Sequence, residues 1–409
     1  MPADVRRSSK HGSQDFGARH PTHLRGLNID RVLSIAIDRS GTFTRAELIE
    51  ASGLSAPTIG SLTSHLIRTG VITDLGTAPS RGGRRPSLME FNARHAFVGG
   101  IDVGPTRTRL AVADLRGARL GHQIVDTPTS LPPPQMLLRL AAAFKSLVRS
   151  AGAPLGRLIA VAAGVPGIVR PHDGVVAFAP NLSGWHDVPM RDILTRELRT
   201  PVLIDNDVNL ALLGEHWQGA AQGHETCAFV FVGTGIGAAI LIDGALHRGH
   251  HDMAGEIAVM CMGPEYVDRD FGTHGCLEAL AGLDALKTRW TGRVPSNHDH
   301  WIPALLAAAA AGDEQAREAV TETARFIGMA TANVGAVVDP SIVVLGGAMF
   351  AQAEPFVDEV RRIVHQLSRT PFDVVSAALG KEAPVAGCLL VAAAEARRQL
   401  RQRIRAASA

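Results

Sequence analysis

The chain has 409 residues, 46% of them hydrophobic and 20% charged, enough apolar material for two or three packed domains and too much for a mainly disordered protein. No apolar run approaches the roughly 20 residues of a membrane helix, no apolar core follows Arg6, Arg7 and Lys10, and four scattered cysteines (Cys227, Cys261, Cys276, Cys388) make no disulfide framework, so a cytoplasmic protein without a membrane partner is expected. The net charge of +2 divides unevenly: residues 1–95 hold 13 Lys/Arg against 8 Asp/Glu, the remainder 28 against 31, which suggests an anion-binding module, with nucleic acid as first candidate, on a mildly acidic body.

Residues 1–24 are rich in Arg, Ser, His and Gly without periodicity and read as a tail. A helical pattern starts at Leu27 and stops at Gly41. Thr44 with Glu47 three residues on has capping-box spacing and opens a short helix ending at Gly53. Ser55 caps a third helix, to about Thr69, with an apolar stripe of Ile59, Leu62 and Leu66. Val71, Ile72 and Leu75 read as a strand and Ser87 to Phe91 as its return, joined by the Gly/Pro/Arg-rich segment GTAPSRGGRRP. Helix, glycine turn, helix and hairpin form the winged helix-turn-helix pattern over residues 25–92. In that pattern the DNA-facing residues are Ser55, Ala56, Pro57, Thr58, Ser61 and Ser64 on the third helix, small enough to approach base edges, and Arg81, Arg84 and Arg85 in the wing, suited to phosphates or a narrow minor groove. The plainer alternative is a helical domain that binds another protein.

From Val98 the texture becomes α/β, with strands at VGGIDVG, LAVADLRG, Leu158–Val165, Val202–Ile204, Ala228–Val232, Ala238–Ile242 and Ile342–Leu345 alternating with helical stretches at 135–150, 189–198, 209–218, 277–289, 312–336, 354–367 and 385–404. Two Gly-rich strand turns far apart in the chain suggest two related lobes about a cleft, 96–205 and 206–405, with the last helix returning to the first lobe. The first turn offers Asp102, Gly104 and Thr106, the second Gly233, Thr234, Gly235 and Gly237. Such turns expose N–H groups, a hydroxyl and a carboxylate to a nucleotide phosphate and its Mg²⁺. Gly346 and Gly347, after a later strand, would let a helix start close to a nucleobase. Each is also compatible with ordinary turn chemistry.

GLS-x-x-T with GGRRP, then IDVG-x-T, GVPGIV, NLSGW, NDVN, GTGIG, RG-x-x-x-x-AGE and GCLE together resemble the ROK family of repressors, open reading frames and kinases. The resemblance covers nearly all of the chain after residue 25. It implies an α/β fold in which an N-terminal winged helix-turn-helix joins a two-lobed actin/hexokinase-like sugar-kinase body. By the resemblance Asn206 and Asp207 lie in the sugar pocket, Asp207 as the base of a kinase; Glu256 and Glu278 are further sugar contacts; and Asn181 lies in the loop that closes over the sugar. Without the resemblance, Asp207 reads more simply as a helix cap. The sequence departs from the family at its zinc site: the positions of the His and the first two Cys hold Val259, Arg269 and Phe271, and only Cys276 is kept. Zinc is therefore not expected. Pro105 replaces a phosphate-turn glycine and removes an N–H.

The expected function is a DNA-binding transcriptional regulator of carbohydrate genes, a repressor, controlled by a sugar or sugar derivative. Its partners are operator DNA, the sugar and a second copy of the chain in a homodimer or homotetramer. The alternatives are an ATP- and Mg²⁺-dependent sugar kinase with an accessory DNA-binding domain, and a DNA-binding protein whose body serves only assembly. No cofactor is certain from the sequence.

Overall fold

The computed structural model describes residues 21–77, 87–233, 235–272, 274–292, 301–350, 354–369 and 372–406. They fall into two compact units, one comprising the chain up to Ala93 together with Arg398 onward, the other Arg94–Arg397.

The smaller unit holds α1 (Pro21–Asp38), β1 (Thr42–Phe43), α2 (Arg45–Ser52), α3 (Ala56–Arg68), β2 (Ile72–Thr77) and β3 (Ser87–Phe91). The Thr44 box closes in both directions: Thr44 N–H donates to Glu47 Oε2 at 2.7 Å, and Glu47 N–H to Thr44 Oγ1 at 3.3 Å. Gly53, at φ 66, ends α2 in the left-handed region. Ser55 caps α3 through Thr58, and Ile59, Leu62 and Leu66 are buried as the stripe requires. Two features differ from the sequence expectation. α1 begins at Pro21, inside the segment read as tail, because its polar first turn carries no apolar stripe. A two-residue β1, too short to leave a pattern, pairs with β3, so the hairpin is a three-stranded sheet in the order β1-β3-β2.

The larger unit opens with β4 (Phe97–Val103), β5 (Arg107–Asp114), β6 (Arg119–Asp126), α4 (Pro133–Ser150) and β7 (Leu158–Val165). A small sheet of β8 (Ile168–Arg170), β9 (Val175–Phe178) and β10 (His186–Val188) precedes α5 (Met190–Leu198), β11 (Val202–Asn206) and α6 (Asp207–Gln218). Then come β12 (Cys227–Val232), β13 (Ile236–Ile242), β14 (Ala245–Leu246), α7 (Cys276–Ala281), α8 (Leu283–Arg289), α9 (Trp301–Ala310), α10 (Glu314–Val338), β15 (Ile342–Gly346), α11 (Glu354–Leu367), β16 (Asp373–Ser376) and α12 (Ala383–Ala406). The two five-stranded sheets repeat one plan. In each, three antiparallel strands (β4–β6; β12–β14) are extended by two parallel ones (β7, β11; β15, β16), in the orders β11-β7-β4-β5-β6 and β14-β13-β12-β15-β16. β4 and β7 are buried along their whole length, as continuous apolar runs in central strands are. The 277–289 stretch is two helices, broken at Gly282 where ψ is 172.

α12 lies against the first sheet: Cys388 Sγ is 3.6 Å from Ile101 O, and Arg397 Nε donates to Leu115 O at 3.2 Å. It also crosses α6 backbone to backbone, since a Cβ on Gly387 would stand 1.9 Å from Leu210 O and one on Gly214 2.2 Å from Ala383 O. The fully buried Glu215 of α6 accepts N–H bonds from Ala220, Ala378 and Leu379, tying α6 to the segment before α12. The last turns of α12 belong to the smaller unit, where Leu400 and Ile404 are buried, Arg401 donates to Ser34 Oγ at 2.8 Å and Arg405 pairs with Asp30. Among the described residues no helix is long and apolar enough to cross a membrane.

The crossing makes a stability prediction. Gly387→Ala forces two backbones apart and is expected to lower the unfolding free energy by about 1–3 kcal/mol, read as a lower thermal midpoint. Gly60→Ala, on α3 with open space around the added methyl, is expected to hold or raise stability by about 0.5–1 kcal/mol. Equal midpoints for the two variants would mean that the helices have room to separate.

Candidate functional site

The β4–β5 turn is closed on itself. Gly104 N–H donates to Arg107 O at 3.1 Å, Thr127 Oγ1 donates to Gly104 O at 2.8 Å, and Thr106 O accepts from Thr127 N–H; Thr106 itself is exposed. Asp102 is 4% exposed and stands across the β4–β5 ladder from Arg109, with Arg109 Nη1 3.6 Å from its carboxylate. Arg109 also reaches Glu382 at 3.7 Å, where Arg119 and His122 converge. In the second turn Gly233 N–H donates to Gly235 O at 2.9 Å, and Gly237 lies within β13 opposite Phe231. Thr234 lies outside the described residues. At the third element a Cβ on Gly346 would stand 2.1 Å from the Phe229 ring and one on Gly347, at φ 100, 2.3 Å from Val232 O, so these glycines serve close packing; residues 347–350 are not helical, and the next described helix is α11.

Asn206 ends β11 and is the N-cap of α6. Its Oδ1 accepts from Val208 and Asn209 N–H, and its Nδ2 donates to Gly167 O at 2.9 Å. Both ends of this amide are thus engaged by the fold. Asp207 is the first helical residue and accepts from Val208 N–H at 3.0 Å, so the capping role expected of it on plain grounds falls mainly to Asn206. Glu256 follows Gly255, which is held at φ 94 with its Cβ position 2.0 Å from Ala238 O of β13. Glu278, in α7, accepts from Ile236 N–H at 2.8 Å. Asn181 is exposed, on a loop anchored by the buried Leu182 and Trp185. The Glu278 carboxylate and the Asn181 amide come together beside Gly235, 3.2 and 3.4 Å from where its Cβ would be.

The carboxylates feel one another. Burial, with Asp207 nearby, pushes Asp102 up to about 7 against the pull of Arg109. Burial pushes Asp207 up to about 6; the Val208 N–H opposes this and Glu256 adds to it. Glu256 is raised by burial and by Glu278, and Glu278 by burial against the Ile236 N–H. Sequence reasoning missed Arg109, Glu382, Asp205 and Arg248. Counting the β4–β5 hairpin outward from its turn would have placed Arg109 opposite Asp102; Asp205 and Arg248 have no such local signal.

At the family's zinc positions Val259 is 67% exposed, Arg269 stacks on Phe271 at 5.1 Å, and Cys276 is buried in the apolar core of the second sheet. These residues do not fit zinc, and no group of three or more metal-ligating side chains occurs among the described residues. The first turn fits a Mg²⁺-nucleotide poorly as well: Asp102 already faces a guanidinium, Gly104 N–H is used internally and Pro105 has none.

On α3 the residues Ser55, Ala56, Pro57, Ser61 and Ser64 are exposed and Thr58 is half-buried. Together they form a face of short side chains. Arg81, Arg84 and Arg85 lie outside the described residues.

The ROK family model matches residues 98–395. The chain is 28% identical over 358 residues to the xylose repressor of Caldicellulosiruptor bescii, covering 85% of this chain and 89% of that protein. It is 29% identical over 310 residues to the glucokinase of Streptomyces coelicolor, covering 70% and 95%. Among solved structures, a ROK family transcriptional regulator described as a homolog of the E. coli MLC protein superposes with a TM-score of 0.76 at 23% identity, over 93% of this chain and 99% of that one, and shares the fold.

The raised carboxylates have a consequence for stability. An unfolded Asp titrates near 3.9, so between about pH 4 and 7 the native state binds more protons than the unfolded one, and stability falls as pH rises through that window. Asp207→Asn removes one of the two charges held up at about 6 and 7. Its thermal midpoint is expected to fall less than that of the unaltered chain between pH 5 and pH 8. Parallel pH curves would show that the fold does not resist ionisation of Asp207.

Proposed function

We propose that this chain, which belongs to the ROK family, is a sugar-responsive transcriptional repressor. The smaller unit binds operator DNA through α3, and the cleft of the larger unit binds the sugar. The observation that carries the reading is the pairing of these two features in one chain: a capped α2–turn–α3 with the short side chains of Ala56, Pro57, Ser61 and Ser64 exposed on α3, and the carboxylates of Asp207, Glu256 and Glu278, where Glu256 raises Asp207 and Glu278 raises Glu256. The match to the xylose repressor supports it, because it is longer than the ROK body and reaches beyond it, whereas the glucokinase match covers 70% of the chain.

Carboxylates and an amide accept and donate hydrogen bonds to hydroxyl groups, which is what recognising a sugar requires. A phosphorylated sugar would place its negative charge among acids that already repel each other, so the ligand is unphosphorylated. Binding needs only these groups. Turnover also needs positioned phosphates and Mg²⁺, and the closed turns and the Asp102–Arg109 pair oppose that, so the body senses rather than phosphorylates. In a dimer two α3 helices would address two half-sites. α12, which starts in the sugar-binding unit and ends in the smaller one, provides a covalent path for coupling.

One observation favours a kinase instead: Asp207, pushed up to about 6, stands at a helix N-terminus in the manner of a general base. A phosphotransfer assay with ATP, Mg²⁺ and D-xylose or D-glucose decides this, and turnover faster than about 1 s⁻¹, the low end of ordinary enzyme rates, would favour the kinase.

The main test is fluorescence anisotropy on the DNA upstream of the gene for this chain, titrated with D-xylose, D-glucose and their phosphates. Specific DNA binding is expected, changed at least about tenfold by an unphosphorylated sugar. Asp207→Ala is expected to keep the DNA affinity and lose the response. A variant that still responds would move the effector site elsewhere, and absence of specific DNA binding would remove the repressor reading for that DNA.

A further inference from the structure

The acids of the cleft come from different sheets. Asp207 starts α6 at the end of β11, the edge strand of the first sheet, whereas Glu256 sits on the loop that follows β14 of the second. One ion pair joins these two pieces of backbone. Arg248 Nη1 donates to Asp205 Oδ1 at 2.9 Å and Arg248 Nη2 to Asp205 Oδ2 at 2.5 Å. Asp205 is almost fully buried; the Arg248 side chain is about one-third exposed.

Each partner is built into its own side of the cleft. The Asp205 carboxylate also accepts from Asn206 N–H at 2.8 Å and from Asn209 Nδ2 at 3.1 Å. It therefore fixes both the cap residue of α6 and a residue in its first turn, with Asp207 between them. On the other side, Arg248 O accepts from Ala254 N–H at 3.0 Å, which closes the loop that runs to Gly255 and Glu256. Gly255 is pressed against β13, and its carbonyl accepts from Ala238 N–H at 2.7 Å.

We propose that Arg248 and Asp205 are the positioning pair of the sugar cleft, a two-bond clamp across the sheets that sets Asp207 at its working distance from Glu256. The proposal rests on the sugar-sensor reading above. The planar guanidinium is what this task requires, because two parallel bonds fix orientation as well as distance, while a lysine ammonium fixes only distance. A partly exposed ion pair contributes little as a general source of stability, but an error of about 1 Å in the placement of binding groups is felt strongly in affinity or rate.

The experiment measures sugar binding to the full chain by calorimetry, with D-xylose and D-glucose as probes, alongside thermal midpoints. For the sugar the unaltered chain binds, Arg248→Ala and Asp205→Asn are each expected to weaken binding at least about tenfold. The double variant should be no weaker than the worse single one, because the two residues act as one clamp. Arg248→Lys should fall between Arg248→Ala and the unaltered chain. Arg361→Ala, which breaks an ion pair with Asp358 on the outer helix α11, is the structural control: it is expected to shift the midpoint without changing sugar affinity. Sugar affinity within twofold of the unaltered chain in Arg248→Ala, or fully additive losses in the double variant, would overturn the clamp while leaving the sensor reading intact. An unaltered chain that binds neither sugar would overturn both.

Discussion

Carboxylates held out of water near one another raise each other's energy, and the larger unit is arranged to tolerate four of them. The influence passes from Asp102 to Asp207, from Asp207 to Glu256 and from Glu256 to Glu278, that is, from the first sheet to the second. Each acid is met by a different device. Asp102 has the Arg109 guanidinium across the ladder. Asp207 has the N-terminus of α6, whose dipole favours negative charge there, and the Val208 N–H. Glu278 has the Ile236 N–H. Asp205, which lies just upstream and would add a further like charge, is matched by Arg248. These are partial compensations, and two carboxyls still titrate near neutrality. In the function proposed above, a polyhydroxylated ligand that donates hydrogen bonds into this group supplies what the protein leaves unmet.

The repeated sheet plan is the part of the fold that this chain shares with the ROK kinases it resembles. Each half brings a hairpin turn to the same topological place, and in a kinase those turns hold phosphate. In this chain the same turns are closed on themselves. Their N–H groups close onto Arg107 O and Gly235 O, and the carboxylate that could serve a metal faces an arginine. The glycines at 346 and 347 have a packing reason of their own, since the Phe229 ring and Val232 O occupy the space a side chain would need. Packing alone thus accounts for these glycines, and such motifs separate fold from function poorly.

Local rules made much of this architecture legible from the residues. Thr44 with Glu47, and Ser55 ahead of a spaced apolar stripe, announce helix starts because the partners are three residues apart in the chain. The buried strands read clearly because continuous apolar runs have few other uses. What escaped was set by distant partners or by shortness. β1 has two residues; β6 is exposed and polar; β16 has four residues and takes its identity from β15. The start of α1 escaped because its first turn carries no apolar stripe. In the cleft, Asp207, Glu256 and Glu278 were reached through family motifs, and their convergence on one site stands as a proposal. Asn206 shows the limit of carrying a role over: the residue is present, but its amide caps α6 and binds Gly167 O. Arg248 was visible only as part of a motif with no role, since its partner Asp205 lies 43 positions away.

The connection between sensing and DNA binding, in the function proposed here, turns on α6. Asp207 occupies its first position and Gly214 and Glu215 its far end. At that far end a main-chain crossing leaves no side chain to act as a cushion, and a buried carboxylate holds three N–H groups, two of them from residues 378 and 379 ahead of α12. Close-packed backbone transmits strain, so a displacement of α6 is felt at α12. A helix of 24 residues is roughly 36 Å long at 1.5 Å per residue, and the last turns of this one are buried, with Leu400 and Ile404, in the unit that carries α3. In the function proposed here, a ligand that repositions Asp207 acts on α6, whose contacts lead to α12, the helix whose last turns belong to the smaller unit.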